Sequence, residues 1–131
     1  MTTRLPSHSS PATPPASAAA PSVLVVLGTG GTIAGTAARA GDNVGYTAAQ
    51  RGVAELLAGV PGLSGADGFV VEAEQVAQID SKDMDPAVWA ALARAVEHHA
   101  ARPEVAAVIV THGTDTLEET AWLLAHTVRS R

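Results

Sequence analysis

The chain has 131 residues, 47% of them hydrophobic, 16% charged and 3% aromatic, with no cysteine and a formal net charge of -5. The absence of cysteine excludes disulfides, thiolate nucleophiles and cysteine-based zinc or iron–sulfur centres. The acidic balance and the scarcity of rings to stack on bases argue against nucleic acid as the main partner. No segment approaches a membrane-spanning length. A small polar ligand fits this composition better.

Five of the eight prolines, Pro6, Pro11, Pro14, Pro15 and Pro21, lie before Ser22 among Ala, Ser and Thr. Residues 1–22 therefore read as a flexible arm that cannot bury enough apolar surface to offset its ordering entropy. Arg4 is not followed by the continuous apolar run of a secretory signal, so a cytoplasmic location is expected. Residues 23–131 are left for one fold, and their core must be built mainly of Ala, Val and Leu.

Val23-Leu24-Val25-Val26-Leu27 lacks polar alternation and predicts a strand buried on both faces. The glycine-rich loop Gly28-Thr29-Gly30-Gly31-Thr32-Ile33-Ala34-Gly35 follows, and then a polar, mobile stretch through Arg39, Asp42 and Gly45 to Tyr46. Thr47 and Gln50 have capping-box spacing before the stripe Val53, Leu56 and Leu57, which predicts a helix closed by Gly59 and Pro61. Phe69 to Val76, running on toward Ile79, predicts a second strand, ending in the loop Asp80-Ser81-Lys82-Asp83-Met84. Asp85-Pro86 then opens a helix with Val88, Trp89, Leu92, Ala95, Val96 and His99 on one face, stopped at Arg102-Pro103. Val105 to Val110 predicts a third buried strand, and Thr111 to Asp115 a turn. Thr116 and Glu119 cap a last helix carrying Leu117, Ala121, Leu124 and Val128.

Three strand-then-helix units imply an α/β fold with a parallel, Rossmann-like sheet and right-handed crossovers. Ligands of such sheets gather beyond the carboxyl ends of the strands, where all three polar loops fall. Thr29, Thr32, Ser81, Lys82, Asp83, Thr111, His112, Thr114 and Asp115 are thereby expected in one neighbourhood.

A dinucleotide fingerprint starting at Gly28 would need glycine where Ile33 stands, and no Gly-Lys-Ser/Thr of a phosphate-binding loop occurs. The first loop is left as a turn that lets backbone approach a ligand, with Thr29 and Thr32 either offering hydroxyls or bonding the local backbone. Thr114 and Asp115 precede a helix whose free N–H groups favour negative charge. One of Thr114, Asp115 and Thr116 caps that helix, which leaves the others unexplained. A threonine nucleophile needs a base or a hydroxyl network to activate it. His98 and His99 are adjacent and read as surface or rim residues, and His126 complements the end of the last helix. His112 alone lies at the site, as a buried hydrogen-bonding residue or a chemical one. No metal-binding spacing is present.

Together these residues resemble the bacterial-type L-asparaginase (asparaginase/glutaminase) family. Leu27 to Gly35 is similar to its first signature, His112-Gly113-Thr114-Asp115-Thr116-Leu117-Glu118-Glu119-Thr120 to its second, and Ile79 to Met84 to its substrate-binding segment. The resemblance implies an amidohydrolase, hydrolysing L-asparagine, or L-glutamine, to the acid and ammonia without metal or cofactor. It makes Thr32 the nucleophile, Tyr46 its hydrogen-bonding activator, and Thr114 a second essential threonine. It gives Asp115 the substrate α-ammonium and Ser81 the α-carboxylate. Lys82 stands where a glutamine or small polar residue is often found, and it bears on substrate preference. The family also uses a later lysine and a smaller C-terminal domain from a neighbouring subunit of a homo-oligomer. Lys82 is the only lysine in the chain. The chain is therefore expected to be the front part of an asparaginase, with an amino-acid-binding remnant or an amidotransferase-type glutaminase subunit as the alternatives.

Overall fold

The computed structural model describes residues 22–31, 34–37, 46–47, 49–63 and 68–129. Strand β1 (Ser22–Gly30) lies at the centre of a three-stranded sheet, with β4 (Phe69–Ile79) and β5 (Val105–Thr111) parallel on either side. Two short antiparallel strands, β2 (Thr36–Ala37) and β3 (Tyr46–Thr47), form a separate ribbon. Helix α1 (Val53–Ala58) packs on β4 and β1, while α2 (Pro86–Ala100) crosses all three sheet strands and meets α3 (Leu117–Thr127). The parallel α/β architecture is the one expected. Strand β1 begins at Ser22, paired with Phe69, so the fold takes in one residue assigned to the arm.

The register decides the two faces. Val23, Val25 and Leu27 face α2, in line with Val108 and Val110 on β5, and Leu92 of α2 completes a fully enclosed cluster with them. On β4 the same face carries Glu72 and Glu74, opposite Val25 and Leu27. These carboxylates meet the carboxyl end of α2. Arg102 donates two hydrogen bonds to Glu72, through Nη1 at 2.7 Å and Nη2 at 2.9 Å, and its Nε donates to Glu104 at 2.9 Å. His99 is buried rather than at the surface: its Nδ1 lies 3.1 Å from Arg102 Nη1, and its Nε2 lies 2.7 Å from Glu74 Oε2. Arginine can only donate, so Nδ1 accepts and the ring proton sits on Nε2, facing Glu74. His98 is exposed, as two adjacent helical residues cannot share a face.

Helix starts separate local signals from overridden ones. Asp85 caps α2 as expected, its carboxylate accepting from Val88 N–H at 2.9 Å ahead of Pro86. The helix expected to start at Thr47 begins instead at Val53. Thr47 pairs with Thr36 in β3, and residues 49–51 are bonded back to the first loop, Ala49 N–H to the Gly31 carbonyl and Arg51 N–H to that of Ala34. The chain is thereby held out of helix until Gly52, and Gln75 Oε1 supplies the missing cap to Val53 N–H at 2.6 Å. Thr116 occupies the N-cap position of α3, but its hydroxyl bonds across to the Ser81 carbonyl instead of to its own helix.

No helix among the described residues is long and apolar enough to cross a membrane. The Leu92 side chain is wholly enclosed, so Leu92→Ala is expected to cost about 2–5 kcal/mol in urea denaturation, as a lost transfer energy plus a cavity. Arg102 holds the Glu72 carboxyl below the usual carboxylate range, chiefly by hydrogen bonding and against a smaller opposing effect of desolvation. A carboxyl depressed in the folded state adds stability above its unfolded value and loses it as pH falls through the folded one. Glu72→Gln should therefore be less stable than wild type near neutrality, and the difference should close as pH falls below about 4, read from urea midpoints across that range.

Candidate functional site

Because β1, β4 and β5 are parallel, their carboxyl ends lie along one sheet edge, with Gly30 level with Ile79 and Gly28 level with Thr111. Three loops leave that edge side by side. Gly31 N–H donates to the Ile79 carbonyl at 2.7 Å, joining the first loop to the second. Thr29 is buried, and its hydroxyl donates to the Thr111 carbonyl at 2.8 Å, tying β1 to the start of the third loop. Of the two threonines offered by the first loop, Thr29 is thus spent on the backbone. Thr32 lies outside the described residues.

The second and third loops are locked at Ser81. The segment Ser81–Asp83 forms a single 3-10 turn capped by Asp80, which places the Ser81 side chain inward and buries it. Ser81 Oγ accepts from Asp115 N–H at 3.2 Å, and the Ser81 carbonyl accepts from the Thr116 hydroxyl at 2.7 Å. With one lone pair of Oγ engaged by Asp115 N–H, Ser81 keeps its proton and a second lone pair for a further partner. Thr114 and Asp115 beside it are exposed, one step ahead of the first turn of α3.

Two glycines make this closeness possible. A Cβ on Gly31, whose φ is +75°, would collide with the backbone of Gly113, and a Cβ on Gly113 would collide with Ser81 Oγ. Both positions therefore require the residue without a side chain.

Lys82 does not reach into this cluster. Its ammonium lies 3.1 Å from Asp80 Oδ2 and 3.0 Å from Asp83 Oδ2, and these two carboxylates raise its pKa above the usual lysine value. The Asp80 carboxyl is lowered in return, first by its hydrogen bond from the Lys82 ammonium and then by that from the Lys82 backbone N–H. Tyr46 belongs to β3, paired with Ala37, which fixes its backbone on the ribbon that follows the first loop. The polar stretch expected to be mobile, residues 38–45, lies outside the described residues.

His112 uses both ring nitrogens away from Thr114 and Asp115: Nδ1 lies 2.7 Å from the Gly113 carbonyl and Nε2 3.0 Å from the Thr120 hydroxyl. It is a hydrogen-bonding residue of the loop in this arrangement. His126 Nδ1 contacts the Trp122 carbonyl at 2.7 Å, completing the last turn of α3 as expected. Among the described residues no group of His, Asp and Glu is placed to hold a metal ion.

Residues that the sequence did not single out support the first loop. Gln75 Nε2 donates to the Gly28 carbonyl at 3.1 Å and also to that of Ala77, while Oε1 caps α1. Gln78 Nε2 donates at 2.8 Å to the carbonyl of Ala49, which has a left-handed φ of 57°. The available signal was a pair of glutamines, three apart, in an otherwise apolar and acidic strand. A hollow of about 550 Å³ between α1 and β4 is lined by Leu57, Phe69 and Val71, toward the amino end of β4 and away from these loops.

Comparison with known proteins agrees with this geometry. The asparaginase N-terminal family model matches residues 23–131. The chain is 46% identical over 101 residues to the glutaminase-asparaginase of Pseudomonas fluorescens biotype A, covering 77% of this chain and 27% of that protein. It is 40% identical over 109 residues to L-asparaginase 2 of Escherichia coli strain K12, covering 81% of this chain and 29% of the relative. The crystal structure of a probable cytoplasmic L-asparaginase from Campylobacter jejuni matches with a TM-score of 0.72 at 39% identity, over 79% of this chain and 31% of that one. The chain therefore spans less than a third of the length of these relatives. Three loops joined through Gly31, Ser81 and Gly113, and sequence matches that run through all of them, establish that the chain belongs to the asparaginase family and matches its N-terminal domain.

Proposed function

We propose that these loops carry the amino-acid-binding part of an L-asparaginase-type amidohydrolase centre. The observation that carries this reading is the junction at Ser81. One buried hydroxyl, with one lone pair taken by Asp115 N–H, stands beside an exposed threonine and an exposed carboxylate and keeps its proton to donate. A free α-amino acid brings one carboxylate and one ammonium. Ser81 takes the first as a hydrogen-bond donor and Asp115 the second as a counter-charge. Lys82 flanks the carboxylate subsite with its charge shared by Asp80 and Asp83, so it tunes the site through that pair.

In this proposal Thr32 attacks the side-chain amide carbon of L-asparagine. The new bond is Thr32 Oγ to carbon, the bond that breaks is carbon to nitrogen, and the hydroxyl proton leaves with the ammonia. Water then cleaves the acyl-threonine to L-aspartate and restores the hydroxyl. Tyr46 activates Thr32 by hydrogen bonding, and Thr114 holds the water. A homo-oligomer whose neighbouring subunit closes the site belongs to the same proposal, with L-glutamine as the competing substrate.

The family's later lysine is not supplied by these 131 residues, whose only lysine is Lys82. Groups that act as a unit lose orders of magnitude when one is missing. Calorimetry with the 131-residue chain should show L-aspartate binding that weakens at least about tenfold in Asp115→Ala, a loss of about 1.4 kcal/mol. Ammonia release from L-asparagine should be several orders of magnitude below that of the Escherichia coli relative, and Thr32→Ala should abolish what remains while sparing aspartate binding. Binding with no Thr32-dependent release favours a binding remnant, and absence of binding overturns both readings. Gly113→Ala should also abolish aspartate binding, because its Cβ would displace Ser81 Oγ. Gly52→Ala, whose Cβ would meet only Gln75 Oε1 at 3.5 Å, should leave binding unchanged in the same titration.

A further inference from the structure

We propose that Trp89 and Thr120 are positioning residues of this site, acting through His112 on the peptide that joins Gly113 to Thr114; the inference rests on the amino-acid-binding reading above. The indole Nε1 of Trp89, on α2, donates to Thr120 Oγ1 at 2.8 Å, and Thr120 Oγ1 lies 3.0 Å from His112 Nε2. His112 Nδ1 in turn lies 2.7 Å from the Gly113 carbonyl.

The chemistry of the two ends orients every bond between them. An indole N–H can only donate and a carbonyl oxygen can only accept. His112 Nδ1 must therefore carry a proton. Thr120 is buried, already accepts from Trp89, and needs an acceptor for its own proton. His112 Nε2 is the acceptor within reach, which assigns the ring proton to Nδ1. The four groups form one directional chain from Trp89 through Thr120 and His112 to the Gly113 carbonyl.

Fixing that carbonyl fixes more than one atom. The Gly113 carbonyl and the Thr114 N–H belong to one planar peptide unit, so neither can rotate without the other. Gly113 has the torsional freedom of glycine, and it is the residue whose backbone lies against Gly31 and Ser81. A carbonyl anchored from the helix layer removes that freedom at the point where Thr114 and Asp115 are aimed. Thr120 is a polar residue on the inward side of α3, four residues before Leu124, which packs against the core. At this inward position the hydroxyl joins two polar groups, the Trp89 indole and His112 Nε2, that an apolar residue would leave without this partner.

Nitrogen-15 NMR of the full 131-residue chain tests the relay without relying on turnover. His112 is expected with Nδ1 protonated and Nε2 bare. Thr120→Val should abolish that tautomer preference, shift the Gly113, Thr114 and Asp115 amide resonances, and weaken L-aspartate binding about tenfold. Thr120→Ser should preserve all three, which loss of packing alone would not predict. Trp89→Phe keeps the hydroxyl and should shift the His112 Nε2 resonance in the same direction by less. If Thr120→Val fails to fold, Trp89→Phe and Thr120→Ser decide the matter. A proton on Nε2 in the wild type, an unmoved Nε2 resonance in Trp89→Phe, or unchanged Thr114 and Asp115 amides in a folded Thr120→Val overturns the relay. Should the wild type bind no aspartate, the amino-acid-binding reading fails, and the nitrogen and amide resonances still decide whether Trp89 and Thr120 set the Gly113 peptide.

Discussion

Gly31 and Gly113 meet backbone against backbone, with Ser81 Oγ pressed against Gly113 beside them, and the candidate site depends on that contact. A parallel sheet brings the ends of its strands to one edge, but strand spacing alone leaves the loops roughly 5 Å apart at their roots and free to diverge. Removing two side chains lets the loops close, and hydrogen bonds then hold them: Gly31 N–H to Ile79, Asp115 N–H to Ser81, and the Thr116 hydroxyl to the Ser81 carbonyl. The side chains of the candidate site can then be short. Serine, threonine and aspartate reach a small ligand only when the backbone that carries them is already close.

The bonds that hold the loops are mostly side chain to backbone, and they join segments distant in sequence. Thr29 reaches Thr111, Gln75 reaches Gly28 and Val53, and Thr116 reaches Ser81. Each is worth about 0.5–1.5 kcal/mol net, whereas leaving one partner buried and unpaired costs about 1–3 kcal/mol. That asymmetry makes the set act as a specification of geometry more than as a store of stability. Exposed ion pairs such as Arg51 with Glu55 contribute little beside it. The Arg102 cluster is different in kind, because it joins β4 to the carboxyl end of α2 on the face opposite α1 and ties together the two layers on which the loops are mounted.

What could be read from the sequence follows the range of the interactions involved. Contacts between residues a few positions apart left a mark: the β-branched run of β1, the Asp85–Pro86 start of α2, and Gly59 at the end of α1 all stand where their local chemistry puts them. The convergence of the three loops was also legible, since it follows from parallel connection alone. Local signals are overridden where a distant partner outcompetes a local one. Thr47 has the spacing of a cap, but β2 offers it a ladder, and Thr116 has the same spacing, but the Ser81 carbonyl is within reach. His99 looked peripheral because its neighbour is, and nothing local announced Glu74 and Arg102. Gln75 is the clearest case, since one side chain serves the first loop and the start of α1 through partners 47 and 22 residues away.

The same competition leaves the candidate site with little uncommitted charge. Lys82 is matched by Asp80 and Asp83, and His112 spends both nitrogens on neutral partners. Asp115 is the exposed charge set directly at the junction, ahead of a helix whose first-turn N–H groups favour a negative group. A zwitterionic amino acid carries its own pair of charges, so a host with several free ions would bind one end at the expense of repelling the other. In the proposed reading, a single carboxylate for the ammonium with a hydroxyl for the carboxylate avoids that conflict. It also places the burden of recognition on geometry, because an oriented hydroxyl discriminates only if the backbone beneath it does not move. The glycine contact at the sheet edge and the hydrogen-bonded chain from Trp89 to Gly113 both hold the backbone of this loop.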